Sequence, residues 1–184
     1  MSALLRFEGV ALMRGGRLLF EQLDLALEPG SALHIGGPNG SGKSSLLRLA
    51  AGLLHAEQGR VEADPAALAD DHVALDRELP LDRALAFWAR SRGNGAMTAM
   101  GLEALQEVPV RILSSGQLKR ASIARVIASE ARLWLLDEPL NGLDRDGAER
   151  LEAVITEHRA SGGGVLAASH VSLPGAWQRL ELGR

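Results

Sequence analysis

The chain has 184 residues, enough for one domain whose core folds without metal or disulfide staples, and its 46% hydrophobic and 23% charged residues exclude a disordered chain, a collagen-like repeat and a bare coiled coil. Lys and Arg number 20 against 23 Asp and Glu, so a formal net charge of -3 at pH 7 leaves no electrostatic footprint for nucleic acid. The absence of cysteine excludes disulfides, thiolate metal sites and thiol nucleophiles. The apolar stretches fall far short of a membrane span and residues 1–7 lack a signal peptide's apolar core, so any membrane role is expected to be peripheral.

In chain order, residues 4–10 and 18–27 alternate apolar and polar side chains around Arg14-Gly15-Gly16-Arg17, which predicts two antiparallel strands joined by a turn. Ala32-Leu33-His34-Ile35 is a short apolar run that meets a glycine-rich turn, and the helical spacing of residues 43–51 follows. Residues 63–71 are rich in Ala and Asp and read as a loop. Residues 82–129 carry a mostly helical pattern interrupted at Gly93-Asn94-Gly95, Gly101 and Val108-Pro109-Val110, an expected inserted helical subdomain. Leu133-Trp134-Leu135-Leu136 is apolar without alternation, which predicts a strand buried on both faces. Residues 147–160 form an amphipathic helix, Gly162-Gly163-Gly164 a break, and residues 165–169 another buried strand. The expected fold is α/β: one domain over 1–184, with a mostly parallel core sheet and an N-terminal antiparallel side sheet.

The chemistry sits at the ends of the predicted strands. Gly37-Pro38-Asn39-Gly40-Ser41-Gly42-Lys43-Ser44-Ser45 brackets four residues between two glycines and then places Lys-Ser between a strand and a helix, the pattern of a phosphate loop. Glycines let backbone N–H groups converge on phosphate oxygens, the helix start adds its positive dipole end, Lys43 pairs with the β- and γ-phosphates, and the Ser44 hydroxyl ligates Mg²⁺. Asp137, at the end of the apolar run 133–136, holds Mg²⁺ through water, and the adjacent Glu138 is the expected general base that polarises the attacking water. Ser114-Ser115-Gly116-Gln117 reads by itself as an ordinary helix N-cap.

At that point the sequence resembles the ATP-binding cassette (ABC) ATPase family, whose signature is usually Leu-Ser-Gly-Gly-Gln; in Leu113-Ser114-Ser115-Gly116-Gln117, Ser115 stands for the first glycine. Leu140-Asn141-Gly142-Leu143-Asp144 is similar to the family's D-loop, and His170 after Ser169 to its switch histidine, so the resemblance spans most of the chain in the correct order. It implies ATP and Mg²⁺ as ligands and a nucleotide-sandwich homodimer, in which Ser114, Ser115, Gly116 and Gln117 of one subunit complete the site of the other. It also implies that His170 donates to the γ-phosphate or holds the attacking water. Two elements depart from the family pattern. The adenine-stacking position falls at Arg14, whose plane can stack or which is a solvated turn residue. The glutamine-loop position falls at His72, with Asp71 the alternative, unless Asp70-Asp71-His72 is an exposed polar turn.

Within the family, residues 14–21, 37–49 and 133–140 and the His at the glutamine-loop position resemble the ATP-binding subunits of the haem exporters of cytochrome c maturation. That resemblance implies a peripheral ATPase on the cytoplasmic face of the bacterial inner membrane, docked on integral membrane permease subunits. Phe87-Trp88 is either part of the docking face or core at helical spacing. Without Cys or a paired His motif this chain is not expected to hold haem, whose contacts then belong to the partners. Other readings are the ATPase subunit of a different ABC transporter, a soluble ABC ATPase of translation or DNA repair, and a module that binds nucleotide without hydrolysis. The single cassette and the lack of a long coiled coil disfavour the second, and the presence of Glu138 and His170 disfavours the third.

Overall fold

The computed structural model describes residues 3–89 and 95–183. Strands β1 (Leu5–Arg14) and β2 (Arg17–Leu27) pair antiparallel from Leu5 opposite Leu27 to Arg14 opposite Arg17. Gly15 and Gly16 make the connecting turn with φ of 58° and 76°, the left-handed backbone that a two-residue hairpin demands and glycine adopts at little cost. Then come β3 (Ala32–Gly36), helix α1 (Lys43–Ala50), β4 (Gln58–Ala63) and β5 (Ala66–Ala69). β4 lies antiparallel along the free side of β1, so the side sheet among the described residues runs β2-β1-β4.

The region after β5 contains α2 (Leu81–Ala86), α3 (Ala96–Ala99), single 3₁₀ turns at Glu103–Leu105 and Val110–Ile112, and α4 (Ser115–Ala128). Gly95 and Gly101, at φ of 70° and 66°, flank α3 where the sequence pattern breaks; Gly93 and Asn94 lie outside the described residues. β6 (Leu133–Asp137), α5 (Arg145–Ala160), β7 (Gly164–Ala168) and β8 (Gln178–Glu181) complete the order. The core sheet runs β5-β6-β7-β3-β8, and every pairing in it is parallel.

Every residue of β3, β6 and β7 is buried because both faces of the sheet are covered. On one face Leu133, Leu135, Leu33, Ile35, Leu166 and Ala168 pack with α1 and the side sheet. On the other, Trp134, Leu136, Val165 and Ala167 pack with Ile123 and Val126 of α4 and Val154 and Ile155 of α5. Successive side chains of a strand point to opposite faces, so burial on both gives the unbroken apolar run seen at 133–136. Among the described residues no helix is long and apolar enough to cross a membrane.

Residues 63–71 are not a continuous loop. Ala66–Ala69 forms the edge strand β5, where pairing to β6 and burial of Ala67 and Ala69 override alanine's poor strand propensity. β4 and β8 were not read from the sequence, and α5 begins at Arg145 rather than residue 147 because Asp144 caps it. The strand order decides where the chemistry gathers. With β6, β7 and β3 adjacent and parallel, the segments that leave their C-terminal ends meet at one edge of the sheet.

Candidate nucleotide site

The loop between β3 and α1 is held in shape by steric demands that glycine alone meets. Gly37 has φ of 127°, and a Cβ there would stand 2.5 Å from the Leu182 carbonyl oxygen; at Gly42, with φ of 103°, a Cβ would crowd Leu19 and the Phe20 ring at 3.2 Å. Gly42 is also the N-cap of α1 and supplies no side chain to it, so the first-turn N–H groups of α1 are left for an external acceptor. Lys43 is only 7% exposed, and its Nζ donates to the carbonyls of Gly37 at 2.8 Å and Pro38 at 3.2 Å. The ammonium is thus fixed over the loop that carries the N–H donors.

A cleft of about 430 Å³ lies at this edge. It is lined by Asn39, Gly40, Gly42, Lys43, Ser44 and Ser45 of the loop and α1, by Asp71, Asp137 and Glu138, and by Arg14 and Leu19 of the β1–β2 hairpin. Asp137 is buried, and desolvation pushes its carboxyl above the usual range. The Ser44 hydroxyl donates to it and lowers it, the neighbouring carboxylates of Asp71 and Glu138 raise it, and the Lys119 ammonium lowers it. A hydroxyl and a buried carboxylate in contact, with two more carboxylates adding negative charge, form an all-oxygen set suited to a hard divalent cation. Among the described residues no three acidic, His or Cys side chains converge as a self-sufficient metal cage.

Glu138 follows directly and has φ of 44°, a conformation that side chains rarely adopt. Its N–H donates to the Ala168 carbonyl at 2.8 Å, which ties the end of β6 to the end of β7. Its carboxylate accepts from the Ser169 hydroxyl at 3.3 Å, from the His170 backbone N–H at 3.2 Å and from His170 Nδ1 at 2.8 Å. The next strand supports this arrangement from below. Buried His34 donates from Nε2 to the Ser169 carbonyl at 3.0 Å, a contact the sequence signals only as a histidine inside an apolar strand.

Lys119 of α4 was not singled out from the sequence either. Its Nζ donates to the Asp137 carbonyl at 3.0 Å. Burial pushes the ammonium below the usual lysine range, while Asp71, Asp137, Glu138 and Asp70 act to raise it.

The remaining sequence candidates lie around this cleft or away from it. Ser114 caps α4 by accepting from the Gln117 N–H at 3.3 Å, and the Gln117 side chain accepts from the Ser114 N–H at 2.9 Å, a complete capping box. Ser114 and Ser115 are exposed, and none of residues 114–117 lines the cleft of their own chain. Gly116 packs against the D-loop, where a Cβ would stand 2.9 Å from the Gly142 carbonyl oxygen. Asp144 accepts from the Gly147 N–H at 2.9 Å and pairs with Arg120 of α4, and those two interactions hold its carboxyl below the usual range. His72 is turned outward against Asp70, with its N–H 3.0 Å from Asp70 Oδ1; the turn presents Asp71, not His72, to the cleft. Ser41 is buried behind the loop against Gly37 and Gly183.

The chain is similar to known proteins along most of its length. The ABC transporter family model matches residues 20–141. The cytochrome c biogenesis ATP-binding export protein CcmA of Sphingopyxis alaskensis is 55% identical over 180 residues, covering 94% of this chain and 93% of its own length. The protein of the same name from Novosphingobium aromaticivorans is 52% identical over 166 residues, covering 89% and 87%. Among solved structures, an ATP-binding subunit of an ABC transporter superposes with a TM-score of 0.84 at 21% identity, over 91% of this chain and 80% of that one. An ABC transporter ATP-binding protein from Pyrococcus furiosus reaches 0.82 at 21% identity, over 97% and 96%; at such identity these two speak to the fold alone. The family match over more than half of the chain, with relatives at about half identity along nearly its whole length, establishes that this chain belongs to the ABC transporter family, among the cytochrome c biogenesis ATP-binding export proteins.

Proposed function

We propose that the chain is the ATP-hydrolysing subunit of a transporter that exports haem for c-type cytochrome biogenesis. The observation that carries the chemistry is the meeting of Lys43, Ser44, Asp137 and Glu138 around one cleft, with His170 bound to the Glu138 carboxylate. The first-turn N–H groups of α1 and the Lys43 ammonium bind the phosphates of ATP, and Ser44 and Asp137 hold Mg²⁺, Asp137 through water. A Mg²⁺ ion held there would supply charge neutralisation at the phosphate oxygens. Glu138 takes the proton from the attacking water, and His170 fixes the orientation of that carboxylate.

None of residues 114–117 lines the cleft, and the capped N-terminus of α4 is exposed elsewhere on the same chain. A second copy, head to tail, brings its Ser114, Ser115, Gly116 and Gln117 against the γ-phosphate, where a helix N-terminus adds donors that a single copy lacks. Arg14 at the cleft offers a planar cation for adenine. Phe87 is 82% exposed and stands edge-on to Trp88 at 5.4 Å, an apolar surface for integral membrane permease subunits at the cytoplasmic face of the inner membrane. Haem stays with those partners, and the substrate assignment rests on the relatives named CcmA.

Deletion of the gene in its own host tests the assignment. Haem-stained c-type cytochromes are expected to disappear while other cytochromes persist, wild type to restore them, and Lys43→Ala not to. Normal c-type cytochromes in the deletion strain, with another transport defect, would assign the ATPase to a different transporter.

A further inference from the structure

The peptide unit between Asp137 and Glu138 joins the proposed metal-holding carboxylate to the proposed base, and its two polar atoms are pinned from two different elements. On one side the Glu138 N–H donates to the Ala168 carbonyl at the end of β7, at 2.8 Å. On the other the Asp137 carbonyl accepts from Lys119 Nζ of α4, at 3.0 Å. The plane of this peptide fixes φ of Glu138, which at 44° lies in a region that few side chains occupy without support. The direction of that plane in turn aims the carboxylate at Ser169 and His170.

Lys119 does not line the cleft, so it has no direct contact to offer a nucleotide there. The carboxylates of Asp71, Asp137, Glu138 and Asp70 act electrostatically on its ammonium, and its backbone belongs to the same helix whose N-terminus carries Ser115, Gly116 and Gln117. Because α4 is an uninterrupted helix of 14 residues, its first turn and Lys119 move together.

We propose that Lys119 is a positioning residue, whose hydrogen bond to the Asp137 carbonyl ties the backbone of Glu138 to α4 and keeps the carboxylate aimed at His170. The capping turn of α4 and the base of the same chain are thereby one mechanical unit, and displacement of that turn re-aims the base. The proposal rests on Glu138 being the base.

The test is a double-mutant cycle on the purified full-length chain, with Lys119→Met, Glu138→Gln and the pair, read by single-turnover phosphate release and by ATP titration. Lys119→Met is expected to slow release at least about tenfold with ATP affinity changed less than about twofold, and Lys119→Arg, which keeps a charged donor, to recover most of the rate. In the Glu138→Gln background Lys119→Met is expected to cost nothing further, because the carboxylate it serves is already gone. A wild-type rate for Lys119→Met, or the same loss in both backgrounds, would overturn the positioning role even where Glu138→Gln alone abolishes hydrolysis. Unchanged hydrolysis in Glu138→Gln would instead overturn the base assignment. Melting curves identify a variant that does not fold, in which case Lys119→Leu, which likewise lacks a donor, takes the place of Lys119→Met in the same cycle.

Discussion

His170 Nδ1 donates to Glu138 Oε2 at 2.8 Å, and the backbone N–H of the same histidine reaches the other carboxylate oxygen at 3.2 Å. Two donors from one residue hold the base in one orientation, and both come from the segment that leaves β7. The adjacency of β6 and β7 in a parallel sheet is therefore what brings together two residues 32 positions apart. His170→Ala removes the imidazole donor but leaves the backbone one. It is expected to slow hydrolysis by about tenfold or more while ATP affinity, set by the loop and Lys43, stays within about twofold. Equal loss of binding and turnover would show that His170 holds the nucleotide rather than the base.

Ser114 separates action within a chain from action across a dimer. A Lys43→Ala chain mixed with a Ser114→Arg chain assembles one site with both elements intact and one with neither. Recovery of hydrolysis in the mixture, above either variant alone, is expected if the α4 N-terminus serves the facing cleft. Ser114→Arg also removes the cap of α4, a change of about 1 kcal/mol in helix stability, so melting curves of each variant accompany the assay. A mixed dimer that forms but shows no recovery would exclude two sites that work independently across the interface.

His158 provides a pH-dependent test of the packing behind the sheet. Its ring stacks on Trp134 at 3.8 Å between centroids, and Nε2 donates to the Arg132 carbonyl at 3.1 Å. Burial lowers its pKa from the ordinary 6.5, so just below that pH the unfolded chain binds a proton that the folded chain does not. The contribution is fully present above about pH 6.5 and is lost as the pH falls toward the folded-state value. Relative to wild type, His158→Phe is expected to lose less stability between about pH 7.5 and pH 5.5 in urea unfolding, the ring still covering Trp134. Parallel losses in the two proteins would show that His158 does not titrate differently on folding.

Much of this site is legible in local sequence because its chemistry is local. The spacing of Gly37, Gly42, Lys43 and Ser44 encodes a loop that can form only between a strand and a helix, and the unbroken apolar run before Asp137 encodes a strand buried on both faces. What stayed hidden depends on distant partners. β5 is four residues of which three are alanine, and it is a strand only because β6 runs beside it. Lys119 meets a carbonyl 18 residues away, and His34 one 135 residues away, contacts for which neither neighbourhood carries a signal. At the turn after β5 the sequence offers Asp70, Asp71 and His72 together. Asp70 accepts from both Arg48 and the His72 N–H, and this pairing leaves Asp71 to face the cleft.

Glu138→Gln tests the central claim most directly, since it keeps the shape of the side chain and removes only its capacity to take a proton. Phosphate release and ATP binding are to be measured on the same preparation with Mg²⁺ present. The account predicts hydrolysis slowed by at least about a hundredfold with ATP affinity retained, and an ATP-bound dimer that accumulates on size-exclusion chromatography. Hydrolysis at the wild-type rate in a folded, ATP-binding Glu138→Gln protein would contradict it.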